Sequence, residues 1–211
     1  MDDLIKRVNN IVELCWESFC SKIGGGLIEV NKEASMQLNF AYLLKTTIDL
    51  TLYHQDEAVT IELETGIKVK ERWRECDIVL EIKKAQQISY LPIEMKCYKT
   101  FASSGGKRGA VDIFYKDVYA DLELLEAYAQ VPNYTNGIQL TMTDFKNLPY
   151  PPKRVGKYLA YDISHGAVIE NGIHLDVSIG GQPVNILLRG KYEFIWNQEG
   201  NYYFMKIQNN G

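Results

Sequence analysis

A change of hydrophobic period limits the fold more than any other feature of this chain. Up to Leu50 apolar residues recur at helical spacing, whereas from Ala58 to Tyr98 they recur at every second position. Helix first and strand after cannot make a helical bundle or a pure β-sandwich, so the chain belongs with the mixed α/β proteins. Residues 3 to 23 read as one amphipathic helix through Leu4, Val8, Ile11, Val12, Cys15 and Phe19. Gly24, Gly25 and Gly26 break it. Asn31 offers an N-cap for a second helix running to about Leu50, with Leu38, Leu43, Leu44 and Ile48 as its buried face. Glu33 falls in the first turn of that helix and Gln37 one turn further on. The segments VTIELET, KVKERWRECDIVLEI and SYLPIEMKCY then read as three sequential strands of a meander, the first two separated by a turn at Thr65-Gly66.

Beyond the meander, FASSGGKRG is a loop and Val111 to about Gln130 a helix, with Ile113, Val118, Leu122, Leu125 and Ala129 apolar. GIQLTMT is a fourth strand after the Asn136-Gly137 turn. The Pro-rich stretch LPYPPKR cannot hold a central strand. After it, KYLAYDI, GAVIENGIHLDV, PVNILL and KYEFIWNQEGNYYFMKIQ suggest short strands and hairpins, one of them turning at Asn171-Gly172. With 211 residues, 46% of them hydrophobic, the expectation is a single domain, 1–211. Its core spans about 28–143, and a β-rich extension spans about 148–211.

Charge and cysteine usage exclude several classes. A net charge of -4 lacks the overall basic footprint of a nucleic-acid protein, although charge can be segregated on one face. Cys15, Cys20, Cys76 and Cys97 form no CxxC pair, which argues against a zinc knuckle or disulfide framework and for buried, reduced thiols. His54, His165 and His174 lack metal-ligand spacing. No run of about 18 apolar residues exists, and the opening MDDLIKRVNN has no apolar leader segment, so the expectation is a cytoplasmic protein with no membrane partner.

The chemistry concentrates in ECDIVLEI and LPIEMKCY. Glu94 and Lys96 are two residues apart on a strand and leave the same face, while Ile93, Met95 and Cys97 face the other way. Asp77 begins the preceding strand, which can pair with this one about 4.8 Å away, so Asp77 and Glu94 can share one metal ion. Hard carboxylate ligands suit Mg²⁺, with Mn²⁺ as a substitute. Phosphodiester hydrolysis fits such a set: a metal at Asp77 and Glu94, a Lys96 amine to orient water or stabilise developing charge, Glu33 as an added acid or metal ligand, and Gln37 to hold Glu33 in position.

An acid on an early helix, Asp on one strand, Glu-x-Lys on the next, then a helix and another strand: this order resembles the PD-(D/E)XK nuclease superfamily. Glu33, Asp77, Glu94 and Lys96 match its motif positions, with Cys76 standing where the motif's name has Pro. The resemblance implies a restriction-endonuclease-like mixed β-sheet flanked by helices, here with a C-terminal β-hairpin extension. It also implies a metal-dependent endonuclease acting on DNA, in restriction, repair or mobile-element biology. Many such enzymes work as homodimers, for which the C-terminal hairpins offer a contact.

Other uses of these residues stay open. Glu94 and Lys96 can be a solvated strand face, Asp77 a structural acid, and Glu33 a dipole-compensating acid with Glu29 as competitor. A nuclease-like scaffold that no longer cuts, and instead binds nucleic acid or a protein, uses the same fold. Lys68, Lys70, Arg72 and Arg74 alternate along one stretch and read either as a track for backbone phosphates or as a solvated ladder. Strict alternation puts Asp77 on the face opposite those cations unless a bulge intervenes. Lys107 and Arg108 lie in a glycine-rich loop that fails the Walker pattern but can sit beside the site as a basic loop.

Overall fold

The apolar stripe near the N-terminus forms α1 (Asp2–Gly24), with Asp2 and Asp3 in its first turn and Lys22 in its last, as the helix dipole favours. The structure, a computed structural model, describes residues 1–102, 104–109, 111–152, 157–170, 172–181 and 183–208. The second helix, α2, spans Glu33–Thr47 and tightens into a 3-10 turn at Ile48–Thr51. Its N-cap is Lys32 rather than Asn31, and the Ser35 hydroxyl accepts from the N–H groups of both residues at 3.1 and 3.2 Å. Leu38, expected in the buried face, is exposed. Met36, Phe40 and Leu44 line the inner side, and Leu38 projects about 200° round the helix from Met36.

Three long strands follow: β1 (Glu57–Val69), β2 (Arg72–Lys84) and β3 (Gln87–Tyr98). The meander is as expected, but its first turn is not at Thr65-Gly66. β1 runs straight through those residues and reverses at Lys70-Glu71, where Lys70 adopts a φ of 54°. Gly66 instead lies under the Trp73 ring, 3.5 Å from where a side chain would start.

Helix α3 (Val111–Tyr128) carries the chain from β3 to β4 (Ile138–Thr143), and the two strands pair in parallel. Gly137 is required at the entry to β4, because a Cβ there would meet Leu125 Cδ2 at 2.5 Å and the Pro92 carbonyl oxygen at 2.8 Å.

The C-terminal part departs most from expectation. KYLAYDI holds a 3-10 turn at Lys157–Tyr161 instead of a strand. Strands β5 (Ala167–Ile169) and β6 (Ile173–Leu175) do not pair with each other. Residue Asn171 of the expected Asn171-Gly172 turn lies outside the described residues. β5 pairs with β8 (Tyr192–Phe194), and β6 with β7 (Ile186–Leu188). The final strands β9 (Trp196–Glu199) and β10 (Tyr202–Gln208) belong to the main sheet, whose order is β1-β2-β3-β4-β10-β9. The hairpins assigned to a contact between copies are thus partly used within the chain, since β10 has β4 on one edge and β9 on the other.

The mixed six-stranded sheet is covered on both faces. Against one face α1 and α2 pack Phe19, Phe40, Leu44 and Trp16 over Ile78, Leu80, Ile93, Met95 and Leu140. Against the other lies α3, itself covered by the small ladders through Val118, Tyr119, Leu188 and Phe194. Glu126 of α3 fixes that layer by accepting from the N–H groups of Arg189 and Gly190 and from the Tyr192 hydroxyl. All four cysteines are free and buried, as expected. No helix among the described residues is long and apolar enough to cross a membrane.

Candidate active site

The site forms where β2 parts from β3. Their ladder ends at Ile78 opposite Ile93, one position before Asp77 and Glu94 would face each other. The β1–β2 ladder has a gap at the same level: Leu63 faces Ile78 and Thr65 faces Cys76, while Glu64 and Asp77 between them are unpaired. Glu64 has a φ of 51°. Both strands roll over at this gap. Ile61, Ile78 and Leu80 pack toward α1 and α2, whereas Ile67 and Cys76 pack with Leu125 and Tyr128 on the α3 side. The register is unchanged but the facing is reversed, which resolves the difficulty that strict alternation posed for Asp77.

Freed from the ladder, the Asp77 carboxylate accepts the Met95 N–H at 2.6 Å. Two residues along β3, the Cys97 N–H donates to Glu33 Oε2 at 3.2 Å. Two acids therefore take the place of the missing strand along β3. Glu33, rather than the exposed Glu29, is the α2 acid at the site, and it sits 3.6 Å from the Lys96 ammonium. Gln37 does not hold Glu33. Its Nε2 donates to the Asp77 carbonyl oxygen at 2.7 Å, which fixes the β2 backbone at the roll-over point.

Glu94 and Lys96 share the face covered by α3, as their spacing requires, and neither is a solvated ladder residue. Glu94 is 4% exposed. The α3 side contributes an acid that the strand pattern did not reveal: Asp121, whose Oδ2 lies 3.2 Å from Lys96 Nζ. A signal for it exists in the sequence, because Asp121 interrupts the helical stripe of Val118, Leu122 and Leu125 with a carboxylate. Gln139, opposite Glu94 on β4, donates from Nε2 to the Val118 carbonyl oxygen at 3.0 Å and faces Asp121 at 3.4 Å.

Burial dominates the electrostatics. It pushes the Glu94 carboxyl up to about 9, reinforced by the negative charges of Asp121 and Asp77. Burial also raises Asp121 to about 7, against the pull of Lys96. Glu33 is raised for the same reason, with Lys96 opposing. Burial alone would lower the Lys96 ammonium, but Asp121, Glu33 and Asp77 outweigh it and hold it charged. Three neighbouring oxygens on this face have no hydrogen-bond partner among the described residues: Glu94 Oε1, Gln139 Oε1 and Thr141 Oγ1. Gln139 and Thr141 stand directly opposite Glu94 and Lys96. Among the described residues no three His, Cys, Asp or Glu side chains form a ready-made metal cage.

The basic residues are not gathered into one track. Lys68 lies on β1, Lys70 in the turn, and Arg72 and Arg74 on β2. Lys68 faces Trp73, whereas Arg72 and Arg74 are paired with Val69 and Ile67 on the other face. The loop after β3 does reach the site's rim, where an Arg108 guanidinium N–H donates to the Asn31 carbonyl oxygen at 3.3 Å, just before Glu33. Lys107 is exposed in the same loop and bridges Phe101 through its backbone. Of the histidines, His165 accepts from the Trp196 N–H and His174 meets Asn185; neither approaches the acids. Searches against protein-family models, curated proteins and solved structures gave no match to this chain.

Proposed function

We propose that the protein is a divalent-metal-dependent endonuclease of restriction-endonuclease-like fold that hydrolyses phosphodiester bonds in DNA. One observation carries this reading: Glu33, Asp77, Glu94 and Lys96 come from three elements to one break in the sheet, with a buried carboxylate oxygen of Glu94 left without a partner. A purely structural acid at such a position would have both oxygens paired, because a buried polar atom without a partner is costly.

The residues fit Mg²⁺ or Mn²⁺. Mg²⁺ is usually held by one or two carboxylates, with water and phosphate completing its shell, so a three-residue cage is not required. Asp77 and Glu94 would hold the ion, with Glu33 as an auxiliary ligand. When bound, such an ion polarises a phosphoryl oxygen and acidifies water. Lys96 stays charged between Asp121 and Glu33 and can orient the attacking water or stabilise charge developing on the phosphoryl group. Gln37 keeps the Asp77 backbone in place. Restriction, repair and mobile-element biology all use this chemistry.

A second reading, a nuclease-like scaffold that binds without cutting, has one observation in its favour. Lys96 is already engaged by two carboxylates, and Glu94 is driven toward its neutral form. Incubation of supercoiled plasmid with Mg²⁺ or Mn²⁺ separates the two. The nuclease reading expects nicked or linear product from the wild type and a rate lower by roughly 100-fold or more for Lys96→Ala. Intact plasmid leaves the silent scaffold, whereas undiminished cutting by the variant removes Lys96 from the chemistry and overturns the site as assigned.

A further inference from the structure

Beyond the gap at Glu64 and Asp77 the β1–β2 hairpin continues as an arm, and we propose that this arm binds single-stranded nucleic acid, with Trp73 as its stacking platform. The inference extends the nuclease reading by naming a substrate class with unpaired bases. Trp73 is 71% exposed, whereas Trp16 and Trp196 are 5% and 2% exposed. Among the described residues its ring makes no aromatic or cation–π contact. A large indole held in water gains by finding a flat partner.

The surroundings of the ring say what that partner is. From Ile67 to Arg74 the arm carries four cations, Lys68, Lys70, Arg72 and Arg74, against the single acid Glu71. Lys70, Arg72 and Arg74 form no ion pair among the described residues, and Lys68 has only a loose one to Glu71 at 3.9 Å. Directly opposite Trp73 stands Lys68, with Gly66 and Glu75 paired next to them. Among the described residues Trp73 is the one exposed large hydrophobic between Ile67 and Glu75, so the arm offers no apolar patch for the core of a protein interface. Cations on both faces of a narrow ribbon suit a flexible polyanion. A duplex keeps its base faces stacked inside, so only unpaired bases offer a π surface to an exposed indole. Trp73 lies four residues from Asp77, about 13 Å along an extended strand, so the arm can hold a strand that passes on to the site.

The experiment is a titration in EDTA, where cleavage cannot interfere. Oligo-dT is added to the 211-residue chain while intrinsic tryptophan fluorescence is followed, with the matching dA·dT duplex in parallel. Oligo-dT is expected to quench the exposed-tryptophan emission and to bind more tightly than the duplex, weakening as salt is raised. Trp73→Ala is expected to lose the quench and to bind a labelled oligo-dT roughly 5- to 150-fold more weakly, and Trp73→Phe to retain most of the affinity. Arg72→Ala with Arg74→Ala lowers the salt dependence. Unchanged circular dichroism and melting temperature establish that the variants are folded. Equal affinity of Trp73→Ala, duplex preferred without quenching, or no binding of either oligonucleotide would overturn the proposal. If plasmid cutting persists in that case, only the arm is refuted; if quenching occurs without cutting, the arm stands and the nuclease reading fails.

Discussion

At the scale of single residues, the site depends on carboxylates placed where water is scarce. Glu94 and Lys96 were legible as a pair because strand alternation puts both on one face, Asp77 as an acid on the strand that pairs with theirs, and Glu33 as a first-turn acid. Asp121 and Gln139 were not. Asp121 left only the trace of an acid interrupting an apolar stripe, and Gln139, an amide within a strand, looks like a solvent-facing residue until a second layer covers it. Glu94 gives a direct pH test. Its folded carboxyl titrates near 9, above its unfolded value of about 4.3, so the native state keeps a proton that the unfolded chain releases. Stability from this group is full below about pH 4 and is lost as pH rises toward 9. Glu94→Gln, which keeps the neutral shape, should raise the melting temperature more at pH 9 than at pH 5. At this chain length each ~1 kcal/mol corresponds to about 2–4 °C. An equal effect at both pH values would mean the carboxyl is already ionised.

At the scale of elements, the decisive event is the roll-over of β1 and β2 at Glu64 and Asp77. Periodicity located the strands but set the first turn at Thr65-Gly66, because glycine serves both turns and close approaches, and only the ring of Trp73 over Gly66 distinguishes them. The entry to β4 is equally constrained. Gly137→Ala forces a methyl group onto Leu125 and the Pro92 carbonyl, two residues from Glu94. Chemical denaturation should show a loss of about 1–3 kcal/mol. An unchanged midpoint would show that α3 can move away freely. Further along the sheet, Glu57 joins α1 to the strand ends, accepting from Arg7 at 2.7 Å, Lys84 at 2.9 Å and the Tyr53 N–H at 2.8 Å. Burial by itself would raise this carboxyl, but those donors bring it down to about 2. Its stability contribution is therefore present above the ordinary carboxylate range and is lost as pH falls from about 4 toward 2. Denaturant midpoints should fall in that window for the wild type and change less for Glu57→Gln. Parallel curves would remove Glu57 from the account.

At the scale of the whole molecule, the sheet is a partition with α1 and α2 on one side and α3 with the small ladders on the other. The α/β class and the sequence order through β4 were readable from period and punctuation. The destination of the C-terminal strands was not, because three-residue strands carry almost no periodic signal, and β9–β10 join the sheet through long-range pairing with β4. That pairing leaves β3 and β4 in the interior of the sheet, so Glu94, Gln139 and Thr141 are sealed beneath α3 while Lys96, Asp77 and Glu33 stay part-exposed at the break. Calorimetric titration of the full chain with Mn²⁺ or Mg²⁺ tests the central idea, that these acids serve one ion. The wild type should bind a single divalent ion with release of protons near pH 7, and Asp77→Ala and Glu94→Gln should each weaken it at least tenfold. No heat of binding to the wild type, or an isotherm that Asp77→Ala leaves unaltered, would contradict it.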